Sequence, residues 1–345
     1  MESSGSSLRV EPLRAAHLHA LKVSDRTEQR SHLQQLLFRS LIARLNHLWP
    51  GDPITRQPCV LVALEQGLPR SLVQIRPFNR LGSCWQLSLE ELSPSKALGQ
   101  RELLKQLLQE ALIGANVRSR SWVIRCDSSH SDQLHVLREL GFQPLRSLRI
   151  WEGPDRDASE PCQPLPEFCQ WAPLNRRTAP FLWPLEQSSG SSHLRQITGR
   201  RCVDLLDHAG HHSGVLLART SDHPVALAGL IHQELADGTV GLELLSGVAW
   251  DERLSRALPS LLHQLQIDGA SCHLAVGNEQ TDTTVNQLLA SEGWKPIREE
   301  LLLGRSLWRH HGRSRAVPFS HPLETMLGRL QPQHPPLPTP SLGRR

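Results

Sequence analysis

Two stretches of the chain repeat one succession of apolar and polar positions. The first runs CWQLSLEEL (Cys84 to Leu92), ELLKQLLQEAL (Glu102 to Leu112), SWVIRC (Ser121 to Cys126), SDQLHVLRELGF (Ser131 to Phe142) and SLRIW (Ser147 to Trp151). The second runs TVGLELL (Thr239 to Leu245), ALPSLLHQLQ (Ala257 to Gln266), CHLAV (Cys272 to Val276), TTVNQLLASEGW (Thr283 to Trp294) and REELLLGRSLW (Arg298 to Trp308). Short apolar runs predict strands, and leucines at three- and four-residue spacing predict helices, so each stretch reads strand, helix, strand, helix, strand. Trp85 to Gly141 spans 56 positions and Val240 to Gly293 spans 53. A repeat of that length predicts a duplicated domain, not a solenoid.

The flanks repeat as well. LRVEPLRAAHLHAL (Leu8 to Leu21) and FCQWAPLNRRTAPFLWPL (Phe168 to Leu185) each open with a strand and a helix. Two further strand candidates follow in each half, beginning at Cys59 and Ser71 and at Gly214 and Val225. Each half therefore reads β-α-α-β-β-β-α-β-α-β, a mixed α/β sheet with helices on its faces.

Between the halves, EGPDRDASEPCQPLPE is rich in proline and acid and lacks hydrophobic periodicity, as a surface linker does. This sets domains at 1–152 and 168–312, a linker at 153–167 and a proline-rich tail at 313–345. Gln331 to Pro340 reads as extended polyproline II, and His321 to Leu330 as a short helix that could dock on the body or on a protein partner.

At 345 residues, 39% of them hydrophobic, the chain can build two ordinary cores. It shows no signal-like N-terminus and no apolar run approaching the roughly 20 residues that span a bilayer. Seven cysteines without CxxC pairing read as reduced core thiols. Together these point to the cytoplasm and away from a membrane. The formal charge of +4 sits in the tail, where five arginines meet one acid, so the body is neutral and offers no broad nucleic-acid footprint. The histidines of DHAGHHSG (Asp207 to Gly214) have no helical spacing that would assemble a metal site, and no metal is expected.

The order of elements, the opener LRVEPLRAAHLHAL, the strand ending Leu92-Ser93-Pro94 before a leucine-rich helix, and the late ELGF (Glu139 to Phe142) before a strand together resemble the GNAT N-acetyltransferase superfamily. The resemblance covers nearly all of 8–152 and, more weakly, 168–310. It implies two GNAT-like acyl-CoA N-acyltransferase domains in tandem, the second degenerate. It also implies acetyl-CoA as co-substrate, lying where the fourth and fifth strands of a half splay apart, with its pyrophosphate at the start of the following helix. The physical basis is general, since helix-start N–H groups and the helix dipole attract phosphate. Carried onto the first half, the resemblance assigns strand contacts to Leu87, Leu89 and Leu92, and phosphate contacts to Lys96, Gly99, Gln100 and Arg101. His130, also assigned to the co-substrate contacts, stands where the family often has an asparagine, with Asp282 at that point of the second half unless a shifted turn brings in Asn278. In the second half Gly247 comes early, Pro259 fits only the first turn of a helix, and Arg253 and Arg256 are the cations left to grip phosphate.

Transfer to an amine needs a base, because an ammonium with a pKa near 10 must lose a proton, and the departing thiolate gains from an acid. The resemblance puts the base on the fourth strand, at Glu90 or Glu91 in the first half and Glu243 in the second. Neighbours on a strand point to opposite faces, so at most one of Glu90 and Glu91 is expected to face the cleft. The family's usual acid, a tyrosine, is replaced by Leu137 and Leu289, and the chain has no tyrosine at all. His130 or His135 could substitute. Two readings follow: an N-acyltransferase with the co-substrate on its N-terminal half and a small-molecule or protein amine as acceptor, or a catalytically inactive GNAT-like scaffold.

Overall fold

In the computed structural model of the chain, leucines at helical spacing and alternating apolar strands form the elements their periods predict. The structure describes residues 8–20, 33–38, 59–92, 99–114, 119–154, 164–219, 224–266, 273–278 and 283–307. Most of the expected linker and tail, the short helix and polyproline stretch included, lies outside them.

The first half contains β1 (Leu8–Pro12), α1 (Ala15–Ala20), a helical stretch over 33–38, β2 (Cys59–Glu65), β3 (Leu68–Pro77) and β4 (Cys84–Glu91). It continues with α2 (Gln100–Gly114), β5 (Ser121–Asp127), α3 (Ser131–Glu139) and β6 (Gln143–Glu152). The second contains β7 (Cys169–Pro173), α4 (Ala179–Ser189), α5 (Ser192–Thr198), a 3-10 helix (Cys202–His208), β8 (Gly214–Ala218) and β9 (Val225–Glu234). After these come β10 (Val240–Ser246), α6 (Glu252–Gln266), β11 (His273–Gly277), α7 (Thr283–Ser291) and β12 (Lys295–Ser306).

Helix α2 buries Leu103, Leu107, Leu108 and Ala111 against Trp85, Leu87, Trp122 and Ile124 of the sheet. Helix α6 does the same in the second half with Leu254, Ala257, Leu258, Leu261 and Leu262. Against the sequence expectation, α6 runs from Glu252 through Pro259, which lies well past the first turn. The proline removes one backbone hydrogen bond. Burial of the five-residue apolar stripe, at roughly 25 cal/mol per Å² of apolar surface, outweighs that loss.

All twelve strands form one sheet in the order β1-β2-β3-β4-β5-β12-β6-β11-β10-β9-β8-β7. The halves exchange their last strands. β12 lies antiparallel to β5, from Glu300 opposite Asp127 to Ser306 opposite Ser121, and β6 lies antiparallel to β11, from His273 opposite Glu152 to Gly277 opposite Leu148. β6 and β12 pair with each other at the centre, where Leu148 faces Glu300. Counting from Gly141 and Gly293, Leu148 and Glu300 are equivalent positions, so the pairing has the self-complementary form of a two-fold interface within one chain. The exchange leaves each half without a closing strand of its own beside its fifth strand.

Hairpins from each half complete the junction. In the β3–β4 connection, Asn79 Nδ2 donates to the Thr198 carbonyl at 2.8 Å, and Arg80 grips Asp207 through Nε and Nη2. Ser121 Oγ donates to the Ile197 carbonyl at 2.5 Å, holding α5 of the second half over β5 of the first. In the β9–β10 turn, the Ala236 amide donates to Glu300 Oε1 at 3.0 Å, and Arg298 meets Asp237 at 2.8 Å.

Candidate functional site

Strand β4 runs parallel to β5 from Cys84 opposite Ser121 only as far as Leu87 opposite Ile124, while its other edge stays paired to β3 through Glu91. The strands therefore part beyond Leu87, and the β5-side edge of Ser88–Glu91 faces a cleft of about 550 Å³. Leu89, Glu90, Glu91, Gln100 and His130 line it, with Ser129, Ser131, Asp132 and Gln133 at the start of α3. Ala236 and Asp237, from the β9–β10 turn, form part of the wall, so the second half contributes to a cleft of the first.

Five of the residues singled out from the sequence thus converge. Leu87 and Leu92 do not join them. Leu87 is fully buried under α2, and Leu92 packs with Leu33, Leu36 and Leu72. Lys96 lies outside the described residues. Gly99 precedes α2 with open space where a Cβ would stand, so packing does not demand glycine there and the backbone is accessible to a ligand. Arg101, exposed beside Gln100, is held by Asp132 through Nε at 2.7 Å.

Glu90 and Glu91 both line the cleft, which corrects the expectation that one at most would do so. Trp85, Leu87 and Leu89 pack toward α2, which puts Glu91 on that side, whereas Glu90 lies across from Leu72 on the face covered by residues 33–38. Where β4 loses its neighbour, the cleft wraps round the strand end and meets both faces. Asp132 and Asp237 add two more carboxylates, and Asp237 is drawn below its ordinary pKa because Thr239 and Arg298 outweigh the upward push of burial.

The tyrosine position is closed. Leu137 and Leu289 are fully buried in the cores of their halves. Replacing Leu137 by tyrosine is expected to overpack that core by about 1–3 kcal/mol without delivering a phenol to the cleft, which thermal unfolding will read as a lowered Tm. His135 points its Nε2 at Glu139 at 2.9 Å on the exposed face of α3, whereas His130 lies on the cleft wall. No cysteine among the described residues lines the cleft, and burial pushes the core thiols of Cys84 and Cys126 up to about 12.

The second half splays too, since β10 meets β11 only at Leu242 and Glu243. Yet Glu243 is not at the base position expected for it. With Gly141 and Gly293 equivalent, Trp122 matches Leu274, and the two parallel registers then match Gln86 with Glu243. The counterpart of Glu90 is accordingly Gly247. Glu243 lies buried, accepting from Arg125 Nη2 and from Arg146 Nη1, each at 2.6 Å. Burial pushes its carboxyl up, but Arg125, Arg146 and Arg200 together outweigh burial and hold it below the usual range. The other candidates of this half are also engaged: Asp251 takes both Nε and Nη2 of Arg253, Arg256 lies over the Phe168 ring, and Asn278 donates to Glu299. Asp282 lies outside the described residues.

No known protein-family model matches the sequence, and no curated protein matches it. Among solved structures the chain is similar to a GCN5-related N-acetyltransferase from Sphaerobacter thermophilus, at 12% identity and a TM-score of 0.49, over 87% of this chain and 95% of that one. It is similar also to a tandem GNAT protein from the clavulanic acid biosynthesis pathway, at 10% identity and a TM-score of 0.46, over 87% of this chain and 98% of that one. Each half has a mixed sheet whose fourth and fifth strands run parallel and then part.

Proposed function

We propose that the protein is an acyl-CoA-dependent N-acyltransferase, with acetyl-CoA bound by the N-terminal half and a small-molecule or protein amine as acceptor. The observation that carries the reading is the end of β4–β5 pairing at Leu87, which turns a strand edge and two carboxylates toward one cleft. The residues present fit the co-substrate. The edge of β4 beyond the end of its pairing with β5 is placed to offer amide partners to the pantetheine arm. Gly99 and Gln100 present the start of α2 to the phosphates, and Arg101 can exchange Asp132 for a phosphate oxygen.

Bound acetyl-CoA supplies an acyl thioester, activated for attack by an amine. Glu90, on the face away from α2, takes the proton from the acceptor ammonium and so frees the nitrogen lone pair. His130, which lines the same cleft, returns a proton to the leaving sulfur. Asp132, Asp237 and Glu91 make the surroundings favourable to a cationic acceptor. The free cysteines among the described residues suit a reducing cytoplasm.

Calorimetry on the full chain tests this. Acetyl-CoA is expected to bind at micromolar strength, and Arg101→Glu to weaken it by at least about tenfold, the loss of one charge-assisted contact. In an amine screen, Glu90→Gln is expected to retain acetyl-CoA binding while lowering kcat by roughly 10²-fold or more. Folded protein that gives no heat with acetyl-CoA would sink the reading in favour of a non-catalytic scaffold.

A further inference from the structure

Apart from the N-terminal cleft, the molecule has a second concave site at the seam of its two halves. The site is a cavity of about 40 Å³ on the face of the sheet covered by α5, between β4 and β5 of the first half and β10 of the second. By that measure it has room for roughly three waters, the size of one small oxyanion. Its wall carries four arginines (Arg125, Arg146, Arg195 and Arg200) against two carboxylates, Glu186 and Glu243. Gln86, Ser189, Thr198 and Gln233 complete the polar lining.

The arginines are already fixed in place. Glu243 spends one oxygen each on Arg125 and Arg146. Arg200 donates through Nη1 to Glu186 at 3.0 Å and through Nη2 to His208 Nε2, and its guanidinium stacks 4.4 Å over Phe78. His208 donates from Nδ1 to the His232 carbonyl at 2.8 Å and is kept neutral by burial and by Arg200, so its Nε2 is free to accept. Arg195 Nη1 is occupied by the carbonyls of Gln187 and Gly190.

Donors remain after these bonds are made. Arg146 Nε, Arg200 Nε and Arg125 Nη1 are buried and meet no hydrogen-bond acceptor among the described residues. Arg125 Nη1 is ion-paired with Glu300 Oε2 at 3.6 Å, beyond hydrogen-bond distance, and the other oxygen of Glu300 is taken by Arg298 and the Ala236 amide. A buried N–H without an acceptor costs about 1–3 kcal/mol, more when the group is charged. Arg146 Nε and Arg200 Nε, two such donors on separate arginines lining one cavity, would therefore be costly in a purely structural arrangement.

We propose that this inter-half cavity is a binding site for a small oxyanion, a carboxylate or phosphate group, held by Arg125, Arg146 and Arg200. The lining has two more cations than anions, and the guanidinium forks suit planar or tetrahedral oxygen groups. Phe78, Gln86 and Gln233 also line a neighbouring cavity of about 240 Å³ with Arg76, His208 and His232, which leaves room for an organic remainder attached to the anion. Every part of the site depends on the strand exchange, because β4, β5 and β6 come from one half while α4, α5 and β10 come from the other. The site stands independently of the acyl-transfer reading.

The test is titration of the full chain, at low ionic strength, with inorganic phosphate in one arm and acetate in the other, followed by calorimetry and thermal unfolding. Saturable binding of at least one anion with a rise in Tm is expected, and the stronger arm identifies the group. Arg200→Gln, confirmed as folded by circular dichroism, should weaken that binding about tenfold or more, the effect of losing a charged donor. Arg149→Gln, on the opposite face of β6, should leave it unchanged. Crystals soaked in selenate should show the anomalous signal between Arg146 and Arg200. No saturable binding of either anion to folded wild-type protein, or equal binding by folded Arg200→Gln, would overturn the proposal.

Discussion

Glu243→Ala is expected to destabilise the protein by about 3–5 kcal/mol, a large share of the roughly 5–15 kcal/mol that holds an ordinary domain folded. The loss does not come from a missing apolar contact. It comes from stranding Arg125 and Arg146, each 7% exposed, without the carboxylate that accepts from both. Glu243→Gln isolates the charge from the shape. Glutamine fits the equivalent position of the first half, where Gln86 accepts from Arg76 at 3.1 Å. At 243, however, it offers one acceptor oxygen to two guanidiniums and turns an NH₂ toward the second. Urea unfolding should place Gln between wild type and Ala. Replacing Arg125, Arg146 and Glu243 together by methionine should recover most of the loss, because a dry apolar cluster avoids the desolvation cost of three ions.

The pH dependence has a definite sign. Because Arg125, Arg146 and Arg200 hold Glu243 below the usual range despite its burial, its stabilising contribution is complete above the unfolded carboxylate value of about 4.3. That contribution drains away as pH falls through the lowered folded value. The wild type should therefore lose stability on acidification more steeply than the triple methionine variant. Parallel acid titrations followed by fluorescence would expose a difference, and coincident curves would remove Glu243 from the account.

Periodicity made the elements legible. The leucine spacing of α2 and α6, the short apolar runs of β4 and β10 and the paired Gly141 and Gly293 were enough to lay out both halves. Glu90, Gln100 and His130 were picked out only through the resemblance, and the structure brings them to one cleft because they lie at the ends of neighbouring elements. The strand exchange was not legible. β6 and β12 have similar apolar patterns, and nothing local says which fifth strand each will join. A weak signal did exist in Arg125 and Glu300, charges in the middle of apolar strands, which must find partners across the sheet once buried. Glu243 was misplaced because it is the carboxylate of β10, whereas hydrogen bonding to β11 aligns it with Gln86, four residues before Glu90.

Residues 1–155 expressed alone are expected to fail as a folded monomer, even though they contain every element of one half. In the full chain β5 is covered by β12, and β6 lies between β12 and β11. Cutting the chain removes all three of those pairings, and a return of β6 to its own β5 would expose its other edge. It would also leave Arg125 and Arg146 without Glu243, a loss of several kcal/mol in addition to the lost strand pairing. An open, apolar strand edge is a template for self-association. Size-exclusion chromatography should therefore find this fragment aggregated, or dimeric through the same exchange made between two copies. Co-expression with residues 156–345 should restore a soluble 1:1 complex, since the exchanged strands supply each half with what it lacks. A well-behaved monomer of residues 1–155, with the unfolding midpoint of the full chain, would mean that the exchange contributes nothing to stability. Both the inter-half anion site and the reach of Asp237 into the N-terminal cleft would then have lost their physical basis.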